Sequence, residues 1–226
     1  MSERETVRTL ESDAQTLEIS VSDICPYLGL GRKEPDDALR DLILRCLPEF
    51  RQAARLRVCW LEVPVTEAAD GVDLGVFFAS GRSLAKNMAG CGRAILFAAT
   101  IGTETELQRK RAAVTSPSRA LVLDAIGTAA IESFCNALCD GWSREFDGSF
   151  LRPRFSPGYG DLPLALQRPL LSCLDSGRKA GIYLTEALLM VPQKSVTAIV
   201  GIGRTGCTAR LHDCTSCDKP DCAFRL

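Results

Sequence analysis

Residues 152–164 concentrate side chains that are suited to holding a small ligand. They read Arg-Pro-Arg-Phe-Ser-Pro-Gly-Tyr-Gly-Asp-Leu-Pro-Leu. An arginine guanidinium presents a planar fork of donors that matches a carboxylate or a phosphate. Pro157 and Gly158 favour a turn whose backbone can approach a ligand closely, and Tyr159 adds a flat apolar face with a polar tip. The segment therefore predicts an anion-binding loop, although a surface loop whose arginine pairs with a nearby aspartate would have the same composition.

The cysteines predict a second chemistry at the end of the chain. Four of the 11 cysteines crowd into the last 20 residues with the spacing C-x6-C-x2-C-x4-C: Cys207, Cys214, Cys217 and Cys222. A C-x2-C pair suits a tetrahedral metal, and four thiolates would hold zinc or an iron–sulfur cluster equally well on spacing alone. His212 lies in the same cluster as a further candidate ligand. A redox-active or unpaired tail is the alternative.

The other seven cysteines carry a simpler prediction. They are scattered along the chain, several of them within apolar segments: Cys25, Cys46, Cys59, Cys91, Cys135, Cys139 and Cys173. We expect these to be buried, reduced thiols that behave as small hydrophobic residues.

Hydrophobic periodicity predicts the elements that must position these residues. Residues 118–144 form the longest helical pattern, directly before the arginine-rich loop. Residues 57–65, 93–101 and 195–202 are typical of strands, and residues 93–101 are apolar enough for the centre of a sheet. The pattern predicts an α+β fold: a twisted, mainly antiparallel sheet flanked by helices, with an N-terminal helical lead-in and a cysteine-rich C-terminal tail.

A second motif follows the loop and makes the pattern specific. Leu184-Thr185-Glu186, Met190, Pro192 and Ser195-Val196 come after Arg154-x-x-Pro-Gly-Tyr in a fixed order, and residues 130–134 read Ala-Ile-Glu-Ser-Phe. Together these segments resemble the activation domain of cobalamin-dependent methionine synthase, in a stand-alone form. That domain binds S-adenosylmethionine (SAM) and remethylates an oxidised cobalamin. The resemblance covers residues 95–203.

The resemblance implies a role for each candidate residue. Arg154 aligns with the arginine that contacts SAM, and Glu132 with an acid of the same pocket. Pro157 and Gly158 shape the loop so that its backbone can bind the ligand. Tyr159 aligns with the tyrosine that approaches the corrin ring.

The function implied is a reactivation subunit for a partner. The chain has no Asp-x-His-x-x-Gly motif to ligate cobalt, so we expect it to act on cobalamin held by a separate methionine synthase or related corrinoid protein. A flavodoxin-like reductant would supply the electron. The alternative is an iron–sulfur or zinc-binding redox accessory protein that reduces or docks on a corrinoid methyltransferase without SAM; a docking module with a degenerate pocket is a further one.

Composition excludes other partners and sets the domain boundaries. The 226-residue chain has 46% hydrophobic residues and a net charge of −1, so nothing favours binding to nucleic acid or an anionic membrane. No apolar run approaches the length of a membrane span, since residues 94–101 are only strand-sized, and the N-terminus lacks an apolar signal core. We expect a cytoplasmic protein with a loose segment at residues 1–20, an activation-like domain at 21–203 and the tail at 204–226.

Overall fold

A computed structural model describes residues 6–146 and 148–204. The strands in chain order are β1 Arg8–Asp13, β2 Arg55–Pro64, β3 Thr66–Ala68, β4 Gly71–Asp73, β5 Phe78–Ser80, β6 Cys91–Thr100, β7 Phe150–Leu151, β8 Tyr183–Leu184, β9 Met190–Val191 and β10 Ser195–Gly203. The helices are α1 Val21–Ile24, α2 Asp37–Ala53, α3 Arg82–Met88, α4 Thr103–Thr115, α5 Pro117–Glu145, α6 Gln167–Cys173 and α7 Ser176–Ala180. Three short 3-10 turns lie at Ala14–Thr16, Cys25–Leu28 and Leu164–Leu166.

The main sheet has five antiparallel strands in the order β1-β2-β6-β10-β7. Its central strand β6 is buried on both faces, because successive side chains point to opposite sides of a sheet. Ile95, Phe97 and Ala99 enter one core, whereas Ala94, Leu96 and Ala98 enter the other. The predicted antiparallel sheet and its central apolar strand are confirmed.

Two layers cover the sheet. Helices α1, α2, α4 and α5 share the first core, and α5 supplies the largest part of it. The second core lies under α3, α6, α7 and the small sheet β3-β4-β5. Each of the two layers therefore buries an apolar face against the same five-stranded sheet. The predicted α+β class is confirmed.

The N-terminal segment was expected to be loose, but its described residues are ordered against the sheet and the first core. Arg8–Asp13 pairs along its whole length with β2, from Arg8 opposite Trp60 to Asp13 opposite Arg55. Ala14, Leu17 and Ile19 are then buried in the first core. The polar composition of residues 1–20 gave no sign of β1, because an edge strand is held by backbone pairing and does not require an apolar face.

The sequence was expected to contain no apolar run as long as a membrane span, but helix α5 has that length. Within the described part of the chain it is the one helix long and apolar enough, by length and composition, to cross a membrane. However, 61% of its most apolar 18-residue stretch is buried inside the fold. In this molecule α5 is the central helix of the first core.

Candidate functional site

Arg154 is held in place by backbone pairing along the outer edge of β10. The Arg152 N–H donates to the Gly201 carbonyl at 2.8 Å, and Phe155 exchanges two hydrogen bonds with Ile199 at 3.0 and 2.9 Å. The Arg152 side chain turns toward α3 and donates to the Ala89 carbonyl at that helix's C-terminal end. Arg154 lies between the two anchors, and its side chain faces α5 instead.

Arg154 and Glu132, nominated from distant segments, are brought into direct contact. Arg154 Nη2 donates to Glu132 Oε2 at 2.8 Å. The Arg154 side chain is only 14% exposed, whereas that of Glu132 is 43% exposed. Arg154 Nη1 is buried and lacks a strong acceptor among the described residues. A guanidinium that uses one side of its fork retains the other for a bidentate anion.

Two thiols lie on the same side of α5 as this ion pair. Cys135 is fully buried and Cys139 half-buried, one helical turn apart. Burial raises the pKa of Cys135 to about 12 and of Cys139 to about 11, although the nearby Arg154 charge acts in the opposite direction. Both groups are therefore neutral thiols at physiological pH. The prediction of reduced thiols is confirmed for the seven scattered cysteines, none of which forms a disulfide, and five of them are buried.

The Pro-Gly-Tyr loop closes on itself directly after Phe155. Tyr159 N–H donates to the Ser156 carbonyl at 3.0 Å, Leu162 N–H to the Tyr159 carbonyl at 3.0 Å, and Gly158 N–H to the Leu162 carbonyl at 2.9 Å. Gly158 has φ +89, a conformation that other residues rarely adopt. This explains why the turn requires glycine at that position.

Tyr159 projects from this loop into solvent. Its side chain is among the most exposed large hydrophobic groups described, at 68%. One edge is supported by Phe155, with ring centroids 5.4 Å apart and planes at 83°. The remaining surface of the ring is available to a second molecule.

Asp161 is a residue that the sequence did not single out. Its carboxylate accepts from the backbone N–H groups of Arg82 and Ser83, at 2.8 and 3.0 Å. The bond from the Ser83 backbone, followed by its hydroxyl and the Arg82 backbone, lowers the pKa of Asp161. Gly81, at the N-cap position of α3, has no side chain to cap the helix. Asp161, which is 79 positions from Arg82 in the sequence, provides the cap instead. No local signal could have revealed this cap.

Tyr27 is a second missed residue. It lies on the 3-10 turn Cys25–Leu28, which packs against the first core beside α5. Burial, followed by the charges of Glu132 and Asp23, raises the pKa of the Tyr27 hydroxyl, while Arg154 lowers it. The phenol therefore stays protonated beside the ion pair. The motif Pro-Tyr-Leu-Gly at residues 26–29 was the available signal.

The remaining motifs lie elsewhere. The Leu184-Thr185-Glu186 motif forms the β8–β9 hairpin, where the Glu186 carbonyl accepts from Arg168 at 3.0 Å. Cys207, Cys214, Cys217 and Cys222, with His212, fall outside the described residues, so their predicted metal site stays a prediction. Among residues 6–146 and 148–204 no three histidine, cysteine, aspartate or glutamate side chains are placed to hold a metal.

Comparison with known proteins identifies the fold. The sequence matches no protein-family model and no curated protein. Among solved structures, the chain is similar to the crystal structure of the MetH reactivation domain bound to AdoHcy, with a TM-score of 0.66 and 16% sequence identity. The match covers 90% of this chain and 80% of that one. The resemblance inferred from the sequence is confirmed as a likeness of structure: the chain has the fold of the MetH reactivation domain.

Proposed function

We propose that this chain binds SAM and supports the reductive methylation of cob(II)alamin on a separate methionine synthase or related corrinoid protein. The observation that carries the proposal is the partly buried Arg154–Glu132 pair, in which the buried Arg154 Nη1 has no hydrogen-bond partner among the described residues. The fold adds support, since the structurally similar MetH reactivation domain was crystallised with AdoHcy, the demethylated form of SAM.

The chemistry of the ligand fits the charges of this pair. SAM and AdoHcy both carry an α-amino acid, with a carboxylate and an ammonium group on one carbon, and SAM adds a sulfonium. The carboxylate would accept from Arg154 Nη1, the buried donor that has no partner among the described residues. Glu132, which is partly exposed, would meet the positive amino group or sulfonium. A zwitterion can thus enter between two charges without leaving either unpaired.

The loop supplies the remaining part of the proposed role. Pro157 and Gly158 fix a turn whose backbone can bind the ligand, and Tyr159 presents its ring outward. A corrin ring on the partner would stack on that face. The reaction consumes one electron from a flavodoxin-like reductant and the methyl group of SAM, and it yields methylcobalamin and AdoHcy. The chain's contribution is to position the methyl donor.

Calorimetry with SAM and AdoHcy on Arg154 variants tests the assignment. Arg154→Ala should weaken binding by about 2–3 kcal/mol, because a charge-assisted pair is lost from a buried site. Arg154→Lys should recover only part of this, since a point charge lacks the fork. Arg168→Ala is the matched control, because Arg168 is exposed and bonds only a hairpin carbonyl.

Two results would contradict the proposal. If both Arg154 variants bound SAM with wild-type affinity, Arg154 would not be part of the SAM site. A wild-type chain that binds neither SAM nor AdoHcy, yet associates with or reduces a corrinoid protein, would favour the accessory redox function instead.

A further inference from the structure

A groove of about 370 Å³ lies at the sheet edge farthest from Arg154. Its floor is Thr9 and Glu11 of β1 with Arg57 of β2, and its wall is residues 177–181, comprising α7 and Gly181. In the register, Thr9 is opposite Cys59 and Glu11 is opposite Arg57. Cys59 belongs to the second core, so the groove opens on the face of the sheet that α5 does not cover.

Two cationic side chains in this groove, Arg57 and Lys179, have nitrogens with no hydrogen-bond partner among the described residues. Arg57 uses only Nε, which contacts Glu11 Oε2 at 3.3 Å, so both terminal nitrogens of its fork are unbonded. Lys179 is half-buried and forms no ion pair within the described part of the chain. Arg178 also lines the groove but pairs with Asp175. Arg57 and Arg178 are thus each balanced by one carboxylate, Glu11 and Asp175, and Lys179 leaves the groove with an excess of one positive charge.

Glycine keeps the wall of the groove open. A Cβ added at Gly181 would lie 3.7 Å from Arg57 Nη1, so any larger side chain there would occupy the space in front of the guanidinium. Gly181 also has φ +71, where a side chain is strained. The backbone of this wall and the free end of Arg57 therefore face the same space.

We propose that this groove binds a small phosphate-bearing anion. The two terminal nitrogens of Arg57 match two oxygens of a phosphate, and the nearby Lys179 ammonium supplies a second charge. A phosphate monoester carries a charge between about −1.5 and −2 near neutral pH, which complements the unpaired Lys179 ammonium and the free end of the Arg57 guanidinium. The groove volume lies within the range of small-molecule sites, about 300–1,000 Å³. The site is separate from the proposed SAM site and does not depend on it.

Titration with pyrophosphate and with inorganic phosphate, followed by calorimetry, tests this proposal in the full chain. Sodium chloride at the same ionic strength measures the screening contribution alone. Wild-type protein should bind pyrophosphate more tightly than phosphate. Lys179→Gln and Arg57→Gln should each weaken that binding by roughly tenfold, because each removes one charge-assisted contact. Arg40→Gln is the matched control, since Arg40 is an exposed arginine on α2 paired with Glu34.

The same variants separate this site from the first one. AdoHcy affinity should be unchanged in Lys179→Gln and in Arg57→Gln, and a preserved circular dichroism spectrum shows that they fold. The proposal is overturned if pyrophosphate produces no more heat than chloride. It is equally overturned if the Lys179→Gln variant binds pyrophosphate as tightly as wild type.

Discussion

The Arg154–Glu132 pair contributes little to stability by itself. Ion pairs with an exposed partner contribute about 0–1 kcal/mol, and Glu132 is 43% exposed. Burying the Arg154 guanidinium carries a desolvation cost that one hydrogen bond to Glu132 offsets only in part. A charge placed at such a cost, with one buried donor left unsatisfied, is better explained by binding than by folding.

The exposed Tyr159 allows binding and methyl transfer to be separated. Tyr159→Ala should leave AdoHcy affinity nearly unchanged, because the ring points to solvent and touches Phe155 rather than Arg154. Methylation of cob(II)alamin on the partner should fall, because the proposed corrin contact is lost. Calorimetry and single-turnover absorbance of the cobalamin measure the two effects. Tyr183→Ala, at an equally exposed tyrosine on β8, is the control.

Parallel losses of affinity and transfer in Tyr159→Ala would argue against this separation. They would place the ring inside the ligand pocket.

Sequence alone nominated the two charged residues but not their contact. Glu132 and Arg154 are 22 positions apart, and their meeting depends on Phe155 pairing with Ile199 at the sheet edge. Tyr27 was missed because its approach to Glu132 requires the N-terminal turn to fold back on α5. Residue types indicated the chemistry, whereas long-range pairing determined the geometry.

At the scale of elements, the Pro-Gly-Tyr loop and α3 support each other through Asp161. The cap should be lost in Asp161→Ala, and the amides of residues 82–85 and of the non-proline residues in 156–162 should then exchange faster with solvent. Asp161→Asn keeps one acceptor oxygen and should show a smaller effect. Hydrogen exchange measured by NMR at neutral pH gives the comparison. Equal exchange in wild type and Asp161→Ala would mean that the cap does not order the loop.

The cap also has a defined pH dependence. Hydrogen bonds to the carboxylate hold the pKa of Asp161 below its ordinary 3.8 in the folded state. Its contribution is therefore fully present above pH 3.8 and is lost as the pH falls through the lower, folded-state pKa. The difference between wild type and Asp161→Ala should disappear in strong acid.

Helix and strand boundaries were predicted best where the periodicity was long. The helix expected at residues 118–144 is α5 Pro117–Glu145, and the strand expected at 195–202 is β10 Ser195–Gly203. The edge strand β1 was not predicted, since five of its six residues are exposed and only backbone pairing defines it. Hydrophobic periodicity in the sequence indicates helices and strands that bury one face, and it gives little indication of an edge strand whose side chains are exposed.

At the scale of the whole molecule, the N-terminal segment is part of the core. Leu17→Ala should lower the free energy of unfolding by about 2–3 kcal/mol, because a side chain only 6% exposed leaves a cavity in the first core. Leu44→Ala, at a 50% exposed position on α2, should change it by less than about 1 kcal/mol. Urea denaturation measures both. A near-zero effect of Leu17→Ala would restore the expectation of a loose segment.

The two thiols beside Arg154 have a consequence for chemical selectivity. Thiolates, not thiols, are the sulfur nucleophiles that accept alkyl groups. With a pKa of about 11, Cys139 is ionised in only about one molecule in ten thousand at pH 7, and Cys135, with a pKa of about 12, is ionised still less. On the proposed function, a sulfonium methyl donor held at Arg154 would lie near two sulfur atoms that cannot compete for its methyl group. Burial of these cysteines would protect the protein from alkylating itself while it waits for a cobalt partner.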